Sequence, residues 1–135
     1  MTSRVKYTGD LRTNCEHLAS GNQFITDAPV DNNGLGQAFS PTDTVATALA
    51  SCMLTVMGIK AKGWETDLNG AYAEVTKHMA SDPRRISKIE LDLYMPAAFS
   101  EKHRAILEKS ARTCPVLFSI HPDIEKIINF HWNLD

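Results

Sequence analysis

At 135 residues and 15.0 kDa the chain is sized for one domain, residues 1–135, and its 43% hydrophobic and 22% charged residues are those of an ordinary globular protein. A net charge of -2 gives no electrostatic reason to expect nucleic acid or an anionic membrane as partner. Met1 to Tyr7 hold no apolar h-region, no stretch approaches the run of about 18 apolar residues that spans a membrane, and an odd three cysteines argue against a disulfide scaffold, so a reducing cytoplasm is expected.

From Val5 to Thr26, short polar–apolar segments alternate around turn signals at Gly9-Asp10 and Ser20-Gly21-Asn22, which predicts a small meander of strands. Asp27 to Gly36 reads as a loop, with Pro29, Asn32, Asn33, Gly34 and Gly36. Ser40-Pro-Thr-Asp43 then opens a helix: Ser40 caps it, Pro41 suits the first turn, and Asp43 closes a capping box. This helix is expected to run to Lys60 or Lys62 and to stop at Gly63. Its apolar residues, among them Val45, Leu49, Met53, Val56 and Ile59, lie on every side, so it must be buried on every side. A domain this small rarely encloses a whole helix, and a second subunit is the expected cover.

Two strands follow, Leu68 to His78 and Lys88 to Met95, joined through Ser81-Asp82-Pro83. In the second, Ile89, Leu91, Leu93 and Met95 alternate with polar residues, so one face is buried. Ser100 caps a helix reaching about Thr113, with Phe99, Ala105, Ile106, Leu107 and Ala111 as its apolar contacts, and Pro115 opens a short further turn towards His121. A last strand sets Ile128, Phe130, Trp132 and Leu134 against Asn129, His131 and Asn133. Strands, a buried helix, a strand pair, helices and a final strand make an α+β domain.

The candidate chemistry lies in two thiols 62 positions apart. Cys52 sits in an apolar run three turns into the central helix, out of reach of that helix's N-terminal dipole. Apolar surroundings raise a thiol pKa, so Cys52 acts as a thiolate only if a cation or donors arrive from elsewhere; otherwise it is a small buried hydrophobe. Cys114 precedes Pro115 and so takes an N-cap position, where free backbone N–H groups favour a thiolate, unless it is an incidental residue of a helix junction. Arg112 is near it in sequence. Cys15 is an ordinary strand residue. Convergence of Cys52, Cys114 and His121 on zinc lacks a spacing motif, Gly34-Leu-Gly36 lacks the lysine and context of a phosphate loop, and the scattered carboxylates offer no paired acid–base site.

Phe39-Ser-Pro-Thr-Asp43, Ala48-Leu-Ala-Ser-Cys52-Met-Leu-Thr55, Arg112-Thr-Cys114-Pro115 and His121-Pro-Asp123 resemble the OsmC/Ohr family, named for osmotically inducible protein C and organic hydroperoxide resistance protein. The order of elements matches from near Tyr7 to Asp135. The resemblance implies an OsmC-like fold, an intertwined homodimer with the central helices in its core, and thiol-dependent reduction of organic hydroperoxides. In that scheme Cys52 is the peroxidatic cysteine and Cys114 the resolving one. An external thiol or dithiol, rather than a bound cofactor or metal, restores both. Relatives activate the thiol with an arginine from the N-terminal strands and a glutamate at the start of the central helix. Arg12 matches the arginine. Ten residues before Cys52 this chain has Thr42, with Asp43 one place later, so Asp43 either orients Arg12 or only caps the helix. Two other readings remain open: a redox-sensing dimer without turnover, and a dimer whose apolar cleft binds a small apolar ligand.

Overall fold

The computed structural model describes residues 1–135 and divides them into two compact units, Met1–Val45 and Ala46–Asp135. In the first, β1 (Ser3–Gly9), β2 (Arg12–His17) and β3 (Gln23–Asp27) form an antiparallel meander in sequence order. The strand β3 takes in Asp27, which the sequence assigned to the loop. The loop after it carries one 3-10 turn, Val30–Asn32, and packs tightly on itself. A Cβ on Gly34 would lie 1.7 Å from the Ala28 carbonyl oxygen. Gly36 has φ +63° and donates its N–H to the same oxygen at 3.1 Å. These glycines are there for close backbone approach, not for phosphate.

The meander has no apolar core of its own. The buried side chains of this unit are polar, Thr26, Asp27 and Ser40, while Val5, Tyr7, Phe24 and Phe39 are each more than half exposed. Three strands on so short a segment cannot cover their own apolar surface.

The central helix α1 (Pro41–Lys60) begins at a capping box. The Ser40 hydroxyl accepts from the Asp43 N–H at 3.1 Å, and the Asp43 carboxylate accepts from the Ser40 N–H at 2.9 Å. Its buried residues are Ala46, Leu49, Ala50, Met53 and Met57, a stripe at helical spacing. Val45, Ala48, Ser51 and Ile59 stay exposed on the single chain, so the all-round burial expected from the sequence is not met within one subunit. By length and composition α1 would pass as a membrane span, although no single apolar run suggested one. Within one chain 28% of its most apolar window is buried.

In the second unit β4 (Tyr72–Ala80) pairs antiparallel with β5 (Arg85–Pro96), and β6 (Glu125–Leu134) pairs parallel with β5. Leu68, expected as the strand's start, lies instead in a turn, with its carbonyl accepting from the Ala71 N–H at 2.9 Å. A parallel return needs a crossover, supplied by α2 (Glu101–Ala111) and α3 (Pro115–Ser119). Ser100 caps α2 by accepting from the His103 N–H. Leu107 and Ala111 of α2 are buried, whereas Ala105, expected as a contact, is exposed. Ile89, Leu91, Leu93 and Met95 are all at 0% exposure and join the α1 stripe, Phe99, Leu107, Ala111 and Cys114 in one continuous core. The result is a mixed α+β fold.

Candidate functional site

The second unit brings the two thiols together. Cys114 is fully buried in the core, and half-buried Cys52 packs against that same core. Local sequence sets the posture of Cys114: extended backbone at φ -67° and ψ 138° makes it the N-cap of α3, with Pro115 in the first turn. Its Sγ accepts from the Leu117 N–H at 3.3 Å. Burial pushes the Cys114 thiol up, against the pull of that backbone N–H. Cys52 raises it further, as the sulfur to which the Cys114 thiol hydrogen-bonds and as a neighbour whose negative charge would oppose a second one. All three cysteines are free thiols.

Cys114, dry and capped, holds its proton more firmly than an ordinary thiol does, with the Cys52 side chain as its neighbour. Two other neighbours in sequence stand apart from this pair. The Arg112 guanidinium lies over the Phe130 ring, 5.9 Å from its centroid. His121 accepts from the Asp123 N–H at 3.1 Å and is a turn-stabiliser. No group of three or more His, Cys, Asp or Glu side chains is placed to hold a metal ion, and Cys52, Cys114 and His121 form none.

In the first unit Arg12 and Asp27 face each other across the β2–β3 ladder. Arg12 Nε donates to Asp27 Oδ1 at 2.7 Å and Nη2 to Oδ2 at 2.9 Å. Gln37 adds its backbone N–H to Asp27 Oδ2 at 3.1 Å and its side-chain oxygen to Arg12 Nη2 at 3.2 Å. Asp27 is 1% exposed and Arg12 30%. The Arg12 hydrogen bonds hold the Asp27 carboxyl below the ordinary carboxylate range, and the same bonds raise Arg12. Thr42 Oγ1 lies 3.2 Å from Ser40 Oγ, and Asp43 closes the capping box described above.

Sequence reasoning missed Asp27 and Gln37. The signal was present for Asp27: a hairpin turning at Ser20-Gly21-Asn22 pairs Glu16 with Gln23 and, counting outwards, Arg12 with Asp27. Gln37 carried no signal, because a loop residue's contacts depend on how the loop folds back. Cys15 pairs with Val5 and Phe24 in the meander, and its thiol meets only the Thr13 hydroxyl, at 3.8 Å.

No curated protein matches the chain significantly. Among solved structures, a Psychrobacter arcticus protein described as an osmotic stress induced and detoxification response protein is 54% identical, covers 97% of this chain and 96% of its own, and superposes with a TM-score of 0.93. An organic hydroperoxide resistance protein OsmC from Legionella pneumophila shares the fold at 16% identity, with 97% of each chain covered and a TM-score of 0.74. An OsmC-like protein of Mycoplasma pneumoniae is similar at 16% identity, over 95% of this chain and 93% of its own, with a TM-score of 0.77. The family described as OsmC-like protein matches residues 34–128, a span that holds both paired thiols, and the chain belongs to that family.

Proposed function

We propose that this protein is a cytoplasmic, homodimeric, cysteine-based peroxidase that reduces organic hydroperoxides and is restored by an external dithiol. The observation that carries the reading is that Cys52 neighbours a fully buried Cys114, whose thiol burial pushes up. Disulfide formation between the two requires that their sulfurs be neighbours, which this packing supplies. The names of the Legionella protein and of a structurally similar organic hydroperoxide resistance protein from Elizabethkingia anophelis point the same way.

The Cys52 thiolate attacks the terminal peroxide oxygen of ROOH; the O–O bond breaks, the alkoxide takes a proton and leaves as ROH, and Cys52 becomes a sulfenic acid. The Cys114 sulfur then attacks the Cys52 sulfur, a disulfide forms, and the sulfenic oxygen departs as water with the Cys114 proton. A dithiol reduces that disulfide by exchange and is itself oxidised to a disulfide. Arg12 is the cation that stabilises the Cys52 thiolate. A second copy of the chain covers the open face of α1 and the exposed apolar side chains of the meander, so that both units serve one functional domain over residues 1–135.

The test is intact mass and thiol mapping after one equivalent of cumene hydroperoxide, beside an equal dose of hydrogen peroxide. The expected result is the loss of two hydrogens, mapped to a Cys52–Cys114 disulfide, and faster with the organic peroxide. Two intact thiols after both treatments would overturn the reading in favour of a binding module.

A further inference from the structure

The fork between Arg12 and Asp27 has more built into it than a surface ion pair. Exposed pairs contribute little, because two flexible side chains must be ordered in water for a screened attraction. Here one partner is dry, at 1% exposure, and both its oxygens are used. One backbone donor reaches the carboxylate, the Gln37 N–H to Oδ2, and the Asp27 main chain is itself tied to the loop by its N–H to the Phe39 carbonyl at 3.0 Å. Gln37 then returns its side-chain oxygen to Arg12 Nη2 at 3.2 Å. A bidentate fork of this kind sets the plane and direction of a guanidinium, which a single contact does not.

We propose that Asp27, assisted by Gln37, is the positioning residue for Arg12, a task that the resemblance assigns to a glutamate at the start of the central helix. Thr42 occupies that glutamate's place, while the Asp43 carboxylate accepts from Ser40 at the helix start. The carboxylate has moved to the strand beside the arginine, and the loop over residues 28–39 has become part of the clamp. The inference rests on the assignment of Arg12 to the Cys52 thiolate.

Asp27→Asn keeps the size of the side chain and removes its charge, and it separates two explanations. If Asp27 only adds negative charge near Arg12, its loss makes the surroundings more positive, so the reacting thiol titrates lower and oxidation at neutral pH does not slow. If Asp27 positions Arg12, its loss frees the guanidinium, the pH–rate profile moves to higher pH, and oxidation of Cys52 by cumene hydroperoxide slows roughly ten- to a hundredfold. Asp27→Glu is expected to recover part of the rate, and Arg12→Ala/Asp27→Asn to be no slower than Arg12→Ala alone, since residues acting through one contact do not add. Circular dichroism verifies folding. Should Asp27→Asn not fold, Asp27→Glu, which keeps the charge but displaces the fork, decides: slower oxidation with the pH–rate profile moved to higher pH supports the proposal, and an unchanged rate and profile overturn it. Wild-type oxidation at Cys52 with Asp27→Asn equally fast overturns the positioning role and leaves the peroxidase reading standing. A wild-type Cys52 that resists the peroxide removes both.

Discussion

Cys114, fully buried, neighbours Cys52 and is also the residue that caps α3, so one local motif fixes where the second sulfur of the pair sits. Burial keeps it a thiol, while the Leu117 N–H at 3.3 Å limits how far its charged form is disfavoured.

The two cysteines should therefore fail differently. Cys52→Ser is expected to abolish peroxide consumption. Cys114→Ser is expected to leave one turnover and to accumulate sulfenic acid at Cys52, trappable by dimedone and visible as added mass. Equal loss in both variants, without a trapped adduct, would contradict the assigned order.

Burial raises the Cys114 pKa, so the folded state holds its thiol proton more firmly than the unfolded chain does. The corresponding stability is present below the ordinary thiol range and is lost as pH rises through the folded value. Cys114→Ser should flatten the alkaline limb of a plot of denaturation midpoint against pH. An unchanged limb would show that other groups cause it.

Asp27 has the opposite sign. Its lowered pKa, held down by Arg12, stabilises the fold above the ordinary carboxylate range, and that contribution disappears as pH falls through the folded value. Asp92, lowered by His131 2.8 Å away, acts in the same window. Asp27→Asn should thus remove part of the acid-range loss of stability, and Asp27→Asn/Asp92→Asn should remove more. Acid titrations of thermal midpoint measure both.

Helix α1 offers a test of its start and another of its open face. Ser40→Ala breaks the capping box and is expected to cost about 1 kcal/mol in urea unfolding. Ala48→Glu puts a charge on the face that the single chain leaves open, and it is expected to shift a dimer towards monomer in sedimentation at micromolar concentration. An unchanged sedimentation coefficient would contradict this face as the contact of the proposed dimer.

In the core, Leu91→Ala is expected to destabilise by about 2–5 kcal/mol, because the side chain is fully buried against α1 and α2 residues and leaves a cavity. Val5→Ala, at 61% exposure, should change the stability of an isolated subunit little. A larger effect at Val5 in the assembled protein than in dilute solution would mark it as an interface residue.

What the sequence determined by itself was local. Alternation from Ile89 to Met95, the Ser40–Asp43 capping box, the Ser100 cap and the Cys114-Pro115 helix start all follow from contacts within a few residues, and the structure reproduces each. The family was legible too, because its motifs are short and surround the thiols. Only tertiary structure decided which groups meet. Packing of α1 against the crossover set Cys52 beside Cys114, a meander register chose Asp27 for Arg12, and the Arg112 side chain went to Phe130 despite lying two positions from a thiol. The open face of α1 was invisible for the same reason: an apolar residue records that it must be covered, and the fold alone determines by what.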